Sequence, residues 1–358
     1  MTDSSVLVDL VNARLAKLIA EQRERFEGIS RELDAVFGHA RRFTAGGKRL
    51  RAQFCAAGFR AMGAADAPAL PDAAAALELF HAAALAHDDV IDRSDTRRGA
   101  PSTHRAFEAH HGASGWAGDG ARFGEAAAIL VGDLLLTWSD DLFVAACAAV
   151  DPTAAEAARG EISRMRVEVT LGQYLDVAEE HAWPTVPVGE RAERAITIAV
   201  SKSARYSIEA PLVIGARLAG ADDERVDAIR AFGTPLGLAF QLRDDVLGVF
   251  GDAEIMGKPA GDDLREGKRT YLIARFSDRS SDAEREWFDA RLGRDDLDEA
   301  TVAELQRRIR GCGALDDVEA EIARLLGEAL TALDSAGLDA ASRGMLERLA
   351  RRTAARDY

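Results

Sequence analysis

An all-α fold is what this sequence predicts, and three observations predict it. Ala, Leu, Arg and Glu dominate the 358 residues while Phe, Trp and Tyr make up only 6%, so helix formers outweigh strand formers almost everywhere. Apolar residues recur at three- and four-residue spacing over long stretches, the period of a helix that buries one face. Gly- and Pro-rich segments punctuate those stretches as turns do.

The elements follow in order. Over residues 1–38 the stripe Val8, Leu15, Leu18 and Ile19 predicts a helix docked on a bundle. TAGGKRLRAQF opens a second helix after Gly46-Gly47, with Lys48 and Arg51 on one face of its first turn. A long helix starts near Pro71 and runs through AAAALELFHAAALAHDDVID, ended by the turn TRRGAP. GASGWAGDGARFG, residues 112–124, reads as a loop. Helices then cover GEAAAILVGDLLLTWSDDLFVAACAAV, EISRMRVEVTLGQYLDVAEE, RAITIAVSKSARYSIEAPLVIGARLAG and FGTPLGLAFQLRDDVLGVF, before the polar, Gly-rich GDAEIMGKPAGDDLREGKRT. Beyond residue 277 the charged, amphipathic pattern offers no cluster of reactive side chains and is assigned to packing.

Composition narrows the function. A formal net charge of −15 argues against nucleic acid as a partner, since that needs a basic face. Cys55, Cys147 and Cys312 stand without CxxC spacing, so neither a disulfide framework nor a zinc site is suggested, and a cytoplasmic location fits. MTDSSVLVDL lacks the pattern of a signal peptide, and AAAILVGDLLLTW is broken by Asp133, so no membrane span is expected.

Two acidic segments, DDVID at 88–92 and DDVLG at 244–248, each end a long apolar helix. Asp88 and Asp92 lie one turn apart on one face, with Asp89 to the side. Their repulsion is about 0.2–0.5 kcal/mol. A solvated helix end is the plain reading. The apolar residues upstream (Leu77, Leu79, Phe80, Leu85) favour another, a hard cation such as Mg²⁺ held by one or two carboxylates and substrate phosphates. HDD at 87–89 also suits a His-Asp phosphohydrolase, but His81, His104, His110 and His111 are loosely arranged for that chemistry.

Basic groups persist in this acidic chain. A helix N-terminus with Lys48 and Arg51 makes an anion site. Arg97 and Arg98 follow the first acids within a short turn and offer forked donors to phosphate, and Lys258 and Lys268 add charge near the second. Acids for Mg²⁺ beside arginines for phosphate suggest a metal-bound diphosphate.

GGKRLR, HAAALAHDDVIDRSDTRRG, GDLLL, GQYLD, SKSARYS, FQLRDDVLGVFGD and GKPAGDDLREGK, in that order across residues 46–270, closely resemble the trans-isoprenyl diphosphate synthases, or polyprenyl synthetases. The resemblance implies one domain over residues 1–358, with antiparallel helices around a deep cavity, usually as a homodimer. It makes Asp88 and Asp92 ligands of Mg²⁺ with Asp89 beside them, and has Asp244 hold the last of three Mg²⁺ with Asp245 in support. It assigns Arg97, Lys202, Lys258 and Lys268 to an allylic diphosphate (dimethylallyl, geranyl or farnesyl), and Lys48, Arg51, His81 and Arg98 to isopentenyl diphosphate. Gln173, Asp176, Ser203, Tyr206 and Gln241 would line the reaction centre. Gly248 stands where most members carry a third aspartate, which puts support of that last metal in question, and Ser203 replaces a commoner threonine.

The implied reaction is head-to-tail prenyl transfer: the allylic diphosphate ionises, the double bond of isopentenyl diphosphate attacks, and a proton leaves. Residues 251–268 would close over the dry site. The growing tail would run down the helix bearing Asp88, at about 1.5 Å per residue. Ala83 and Ala84 are too small to stop it, and Phe80 and Trp138 lie deeper, so a twenty-carbon geranylgeranyl product is expected, with longer chains as the alternative. A terpene cyclase or head-to-head condensing enzyme would not need the second basic site. A non-catalytic regulatory subunit remains a rival.

Overall fold

The computed structural model describes residues 4–64, 67–251, 261–294 and 296–354. Among them the chain is helical throughout except for connections and one two-stranded hairpin. Two compact units are present: the described residues of Met1–Arg159 with Ile214–Ala221, and those of Gly160–Val213 with Asp222–Tyr358.

In the first unit, α1 (Ser4–Arg25), α2 (Leu33–Phe43), α3 (Leu50–Ala61), α4 (Ala69–Ile91), α5 (Thr103–Ala113) and α6 (Gly120–Ala148) follow one another. α4 is the core. Its Ala73, Ala74, Ala75, Ala76, Leu77 and Leu79 are all buried, apolar almost all round as a central helix must be. By length and composition it is the one helix among the described residues that could cross a membrane, and most of it is buried inside the protein. Glycines set how closely neighbours approach. A Cβ on Gly132 of α6 would sit 2.1 Å from His87 Nε2, and one on Gly124 would sit 2.3 Å from the His104 carbonyl oxygen of α5.

His39 is buried between the rings of Phe43 and Phe107, with Nε2 3.1 Å from Thr103 Oγ1. Burial, helped by Arg42, pushes its pKa down to about 4 from 6.5. The folded protein therefore keeps His39 neutral where the unfolded chain already takes a proton, so stability present above pH 6.5 is lost as pH falls toward 4. The loss is at most about 3 kcal/mol. His39→Gln, which keeps a partner for Thr103, should flatten the melting-temperature profile across that window.

The second unit holds most of α7 (Pro152–Ala182), then α8 (Val188–Ala199), a π-helix (Val200–Glu209) with the first turn of α9 (Ala210–Leu218), whose remainder belongs to the first unit, and α10 (Asp223–Phe250). After these come α11 (Asp262–Glu266), α12 (Tyr271–Arg279), α13 (Asp282–Asp289), α14 (Glu299–Gly311), α15 (Ala314–Asp334) and α16 (Ala340–Ala354). Leu272, Phe276, Phe288, Leu305, Ile309, Val318 and Ile322 join Leu242, Val246 and Val249 of α10 in one core. Arg243 of α10 forks onto Glu319 of α15 at 2.5 and 2.7 Å.

Several boundaries differ from expectation. The first stripe is two helices, because the chain turns between Arg25 and Leu33, where Gly28 has φ +85°. The loop expected over 112–124 shrinks, since α5 reaches Ala113 and Asp119 caps α6 by accepting from Ala121 N and Arg122 N. TRRGAP is a β-hairpin pairing Thr96 with Pro101 and Arg97 with Ala100. Arg98 and Gly99 both take positive φ, as a two-residue hairpin turn requires. α3 begins at Leu50, so Lys48 precedes the helix instead of lying in its first turn.

Candidate active site

The expected residues fall into one group in each unit. In the first, the C-terminal end of α4 carries Asp88 and Asp92, both half-buried, and Asp89, fully buried. Asp89 Oδ1 accepts from Arg97 Nε at 2.8 Å and from its Nη2, while Arg97 Nη2 lies 3.8 Å from Asp88 Oδ2. The hairpin thus seats a guanidinium directly against the acid cluster. Asp89 is bound in this ion pair, and Asp88 and Asp92, one turn apart on the same helix, lie half-buried beside it.

Upstream on α4, His81 sits among cations. Desolvation, and then Arg51, Arg98, Arg97 and Arg49, hold its imidazole well below the ordinary histidine value, so His81 is neutral at pH 7. Arg51 is buried at the start of α3. A Cβ on Gly47, whose φ is +88°, would stand 3.7 Å from the Arg98 guanidinium, so the Gly-Gly loop passes directly over that side chain. Arg51, Arg98 and His81 therefore form a basic cluster beside the loop, and Lys48, which follows Gly47 directly, is exposed.

In the second unit the π-helix carries Lys202, Ser203 and Tyr206. π-helical turns are rare and frequent at functional sites. α7 supplies Gln173 and Asp176, and Lys202 Nζ donates to Asp176 Oδ2. The contact depends on Gly172, where a Cβ would meet Lys202 N at 2.4 Å. Gly237 of α10 presses on the other side of the segment, its added Cβ 2.3 Å from the Ala204 carbonyl oxygen.

Asp244 and Asp245 lie one turn before the end of α10. Asp245 is buried and accepts from Gln241 Nε2 at 2.6 Å. Burial above all, then Asp263, Asp244 and Asp176, push its carboxyl well above the usual range, against the Gln241 hydrogen bond. Gly248 has a physical counterpart: a Cβ there would sit 2.1 Å from Asp263 Oδ2. A carboxylate from α11 fills the space beside the position that lacks its aspartate. Lys268 Nζ lies 2.7 Å from Glu266 and 3.9 Å from Asp263. Lys258 lies outside the described residues, as does half of the segment expected to close over the site.

The donor sets are carboxylate oxygens, which suit Mg²⁺ and not a thiophilic metal. Among the described residues no three His, Cys, Asp or Glu side chains gather into a metal cage. A cation held by one or two carboxylates and substrate phosphates needs none.

Residues 35–309 match the family model described as polyprenyl synthetase. The chain belongs to that family. Polyprenyl synthetases are prenyltransferases, and this chain is one. It is 33% identical over 278 residues to the geranylgeranyl diphosphate synthase of Methanosarcina mazei, covering 77% of this chain and 75% of that protein. It is 34% identical to a short chain isoprenyl diphosphate synthase of Methanocaldococcus jannaschii, over 64% of this chain and 62% of the relative. Among solved structures, geranylgeranyl pyrophosphate synthase from Corynebacterium glutamicum, complexed with isoprenyl diphosphate and magnesium, superposes with a TM-score of 0.93 at 37% identity, covering 99% of this chain and all of that one.

Three participants were missed in the sequence. Glu78 and Arg49 sit against the basic pocket, and Asp263 fills the space beside Gly248. Glu78 had a signal, since a lone acid inside AAAALELFHAAAL must be paired to be buried. Arg49 and Asp263 were hidden among ordinary charged neighbours.

Proposed function

We propose that this chain condenses isopentenyl diphosphate with an allylic diphosphate, head to tail, and releases all-trans geranylgeranyl diphosphate. The observation that carries the reading is the pairing of unlike chemistries along α4: half-buried carboxylates at its end and, upstream, a basic cluster around a neutral histidine. The first suits a metal-bound diphosphate and the second a metal-free one.

Asp88 and Asp92, with Asp244 of α10, are assigned to three Mg²⁺ ions, which when bound neutralise the diphosphate that leaves. Arg97, held by Asp89, is assigned to the same diphosphate, as are Lys202, Lys258 and Lys268. Asp176 holds Lys202 in place and lowers its freedom to swing away. Arg51, Arg98, Lys48 and His81 bind the diphosphate of isopentenyl diphosphate. His81 acts there as a neutral donor, so the pocket gains an N–H without a further charge to desolvate.

The allylic carbon–oxygen bond breaks with its electron pair going to the diphosphate. The double bond of isopentenyl diphosphate then adds to the allylic cation, and the proton lost passes to the departing diphosphate. No protein nucleophile is used. Gln173, Ser203, Tyr206 and Gln241 line the reacting carbons, where dipoles and an aromatic face stabilise developing positive charge.

Ala83 is fully buried on α4, and Phe80 and Trp138 are buried too, Trp138 stacked on Phe37 at 6.1 Å. We assign Phe80 and Trp138 to the floor of the tail pocket. Ala83→Phe should shorten the product to fifteen carbons and Phe80→Ala should lengthen it, both read by mass spectrometry of dephosphorylated products. Unchanged length in both variants overturns this placement.

The protein is assigned to the cytoplasm as a homodimer. On α6, Ile129, Leu130, Leu134 and Val144 are exposed, and on α7 Val167, Leu171, Tyr174 and Leu175 are exposed on one face. Charging these faces with Leu130→Glu and Leu171→Glu should give a monomer in sedimentation. The catalytic reading is tested with purified protein, Mg²⁺, isopentenyl diphosphate and farnesyl diphosphate. A twenty-carbon product is expected, and no diphosphate release would leave the regulatory-subunit reading in its place.

A further inference from the structure

Arg49 stands at the entry to α3 with φ +51°, left-handed backbone that few non-glycine residues adopt. Its side chain makes no helix cap, and it is 4% exposed. The guanidinium reaches Asn12 Oδ1 of α1 at 3.0 Å from Nε and 2.7 Å from Nη2. The same Nη2 donates to the Thr44 carbonyl at 2.5 Å, just past the end of α2, and Nη1 lies 3.5 Å from Glu78 Oε2. Glu78 Oε1 in turn accepts from Ala52 N at 3.1 Å. That amide is the third N–H of α3, one of those a helix start leaves open. Glu78, on α4, thus caps α3 from outside while neutralising the arginine that precedes it, and both side chains are under 5% exposed.

The pair lies between the ligand-facing groups. Lys48 and Arg51 flank Arg49 in sequence, and His81 is one turn beyond Glu78 on α4. We propose that Arg49 and Glu78 are a buried positioning pair that locks the left-handed entry of α3 to α4, and so sets Lys48 and Arg51 against His81 for the diphosphate of isopentenyl diphosphate. The inference rests on the assignment of that basic pocket to the metal-free diphosphate. Arg49 spends its forked donors on three partners at once, a task a lysine's single ammonium cannot reproduce. Strained backbone of this kind persists only where the surroundings over-determine it, commonly at ligand clamps.

The sign of one substitution separates positioning from simple charge. Removing a carboxylate from a basic pocket raises its positive charge, which alone would tighten an anion. Positioning predicts the reverse, so Glu78→Gln should raise KM for isopentenyl diphosphate about tenfold, with KM for farnesyl diphosphate unchanged. Arg49→Lys should do the same. A general structural role would instead lower the melting temperature and move both KM values and kcat together. Because breaking a buried pair from one side can unfold a protein, the neutral double variant Arg49→Gln with Glu78→Gln is the companion, since losing both charges is milder than losing one. It should fold and still show the raised KM. An unchanged or lowered KM for isopentenyl diphosphate in the folded variants overturns the proposal. Arg51→Gln is the control: if it too leaves that KM unchanged, the assignment of the pocket fails, and if it raises KM while Glu78→Gln does not, only the positioning role fails.

Discussion

Asp88→Asn should lower kcat/KM for condensation by at least about a hundredfold, the scale seen when one preorganised charge-stabilising group is lost. The substitution preserves volume and removes a charge. It removes one of two like charges on the same helix turn, but also the carboxylate 3.8 Å from Arg97, so the two effects oppose and the melting temperature of the metal-free protein should change little. Asp92→Asn should behave alike. Asp89→Asn should act differently, because Asp89 is buried and bound to Arg97. Its loss leaves that guanidinium without its main counter-charge and should weaken both the fold and the grip on the allylic diphosphate. Diphosphate release under saturating Mg²⁺, with melting curves of the same samples, separates the two patterns.

The second large effect concerns a glycine. Gly172→Ala puts a Cβ 2.4 Å from Lys202 N, a distance at which backbone must move. The π-helix carrying Lys202, Ser203 and Tyr206 shifts, and misplacement of reacting groups by about 1 Å can cost a hundredfold in rate. We expect kcat to fall by about that factor while circular dichroism stays helical. Gly160→Ala on the same α7 has nothing within 4 Å of its added Cβ. There the better helix propensity of alanine, about 1 kcal/mol, acts unopposed, so the melting temperature should rise and activity should persist. Opposite outcomes for one substitution type on one helix isolate the contact with Lys202 as the cause.

Much of this architecture is legible in the residues alone, and the exceptions have physical reasons. The long helices were readable because a buried stripe imposes a period on the sequence over several turns, as in α4. The π-helix was not, because SKSARYS has no feature that selects five-residue over four-residue bonding. Its surroundings are tertiary: α7 comes close at Gly172 and α10 at Gly237. The hairpin at TRRGAP looked like a plain turn, since two paired residues per strand leave no alternation to detect. The start of α3 was placed too early because Lys48 and Arg49 are good helix formers by propensity, while the packing of Arg49 against Asn12 and Glu78 forces it left-handed.

The acid and basic residues of the site were legible as types but not as partners. Asp89 and Asp245 were readable as supporting acids beside Asp88 and Asp244 but not as buried ones, one bound by Arg97 and the other by Gln241. The missing aspartate at Gly248 looked like a defect. Asp263, fifteen residues on, places its carboxylate where a side chain at 248 would stand, so Gly248→Asp should meet a carboxylate already there and should not improve activity.

We propose that the two acid clusters serve a single diphosphate. The direct measurement is a double-mutant cycle of Asp88→Asn and Asp244→Asn on Mg²⁺-dependent binding of an unreactive allylic thiodiphosphate, read by calorimetry. Shared binding predicts strong non-additivity, a coupling of about 0.5–3 kcal/mol. Losses that add to within about 0.3 kcal/mol would mean that the clusters bind independently, and the mechanism proposed here would be wrong.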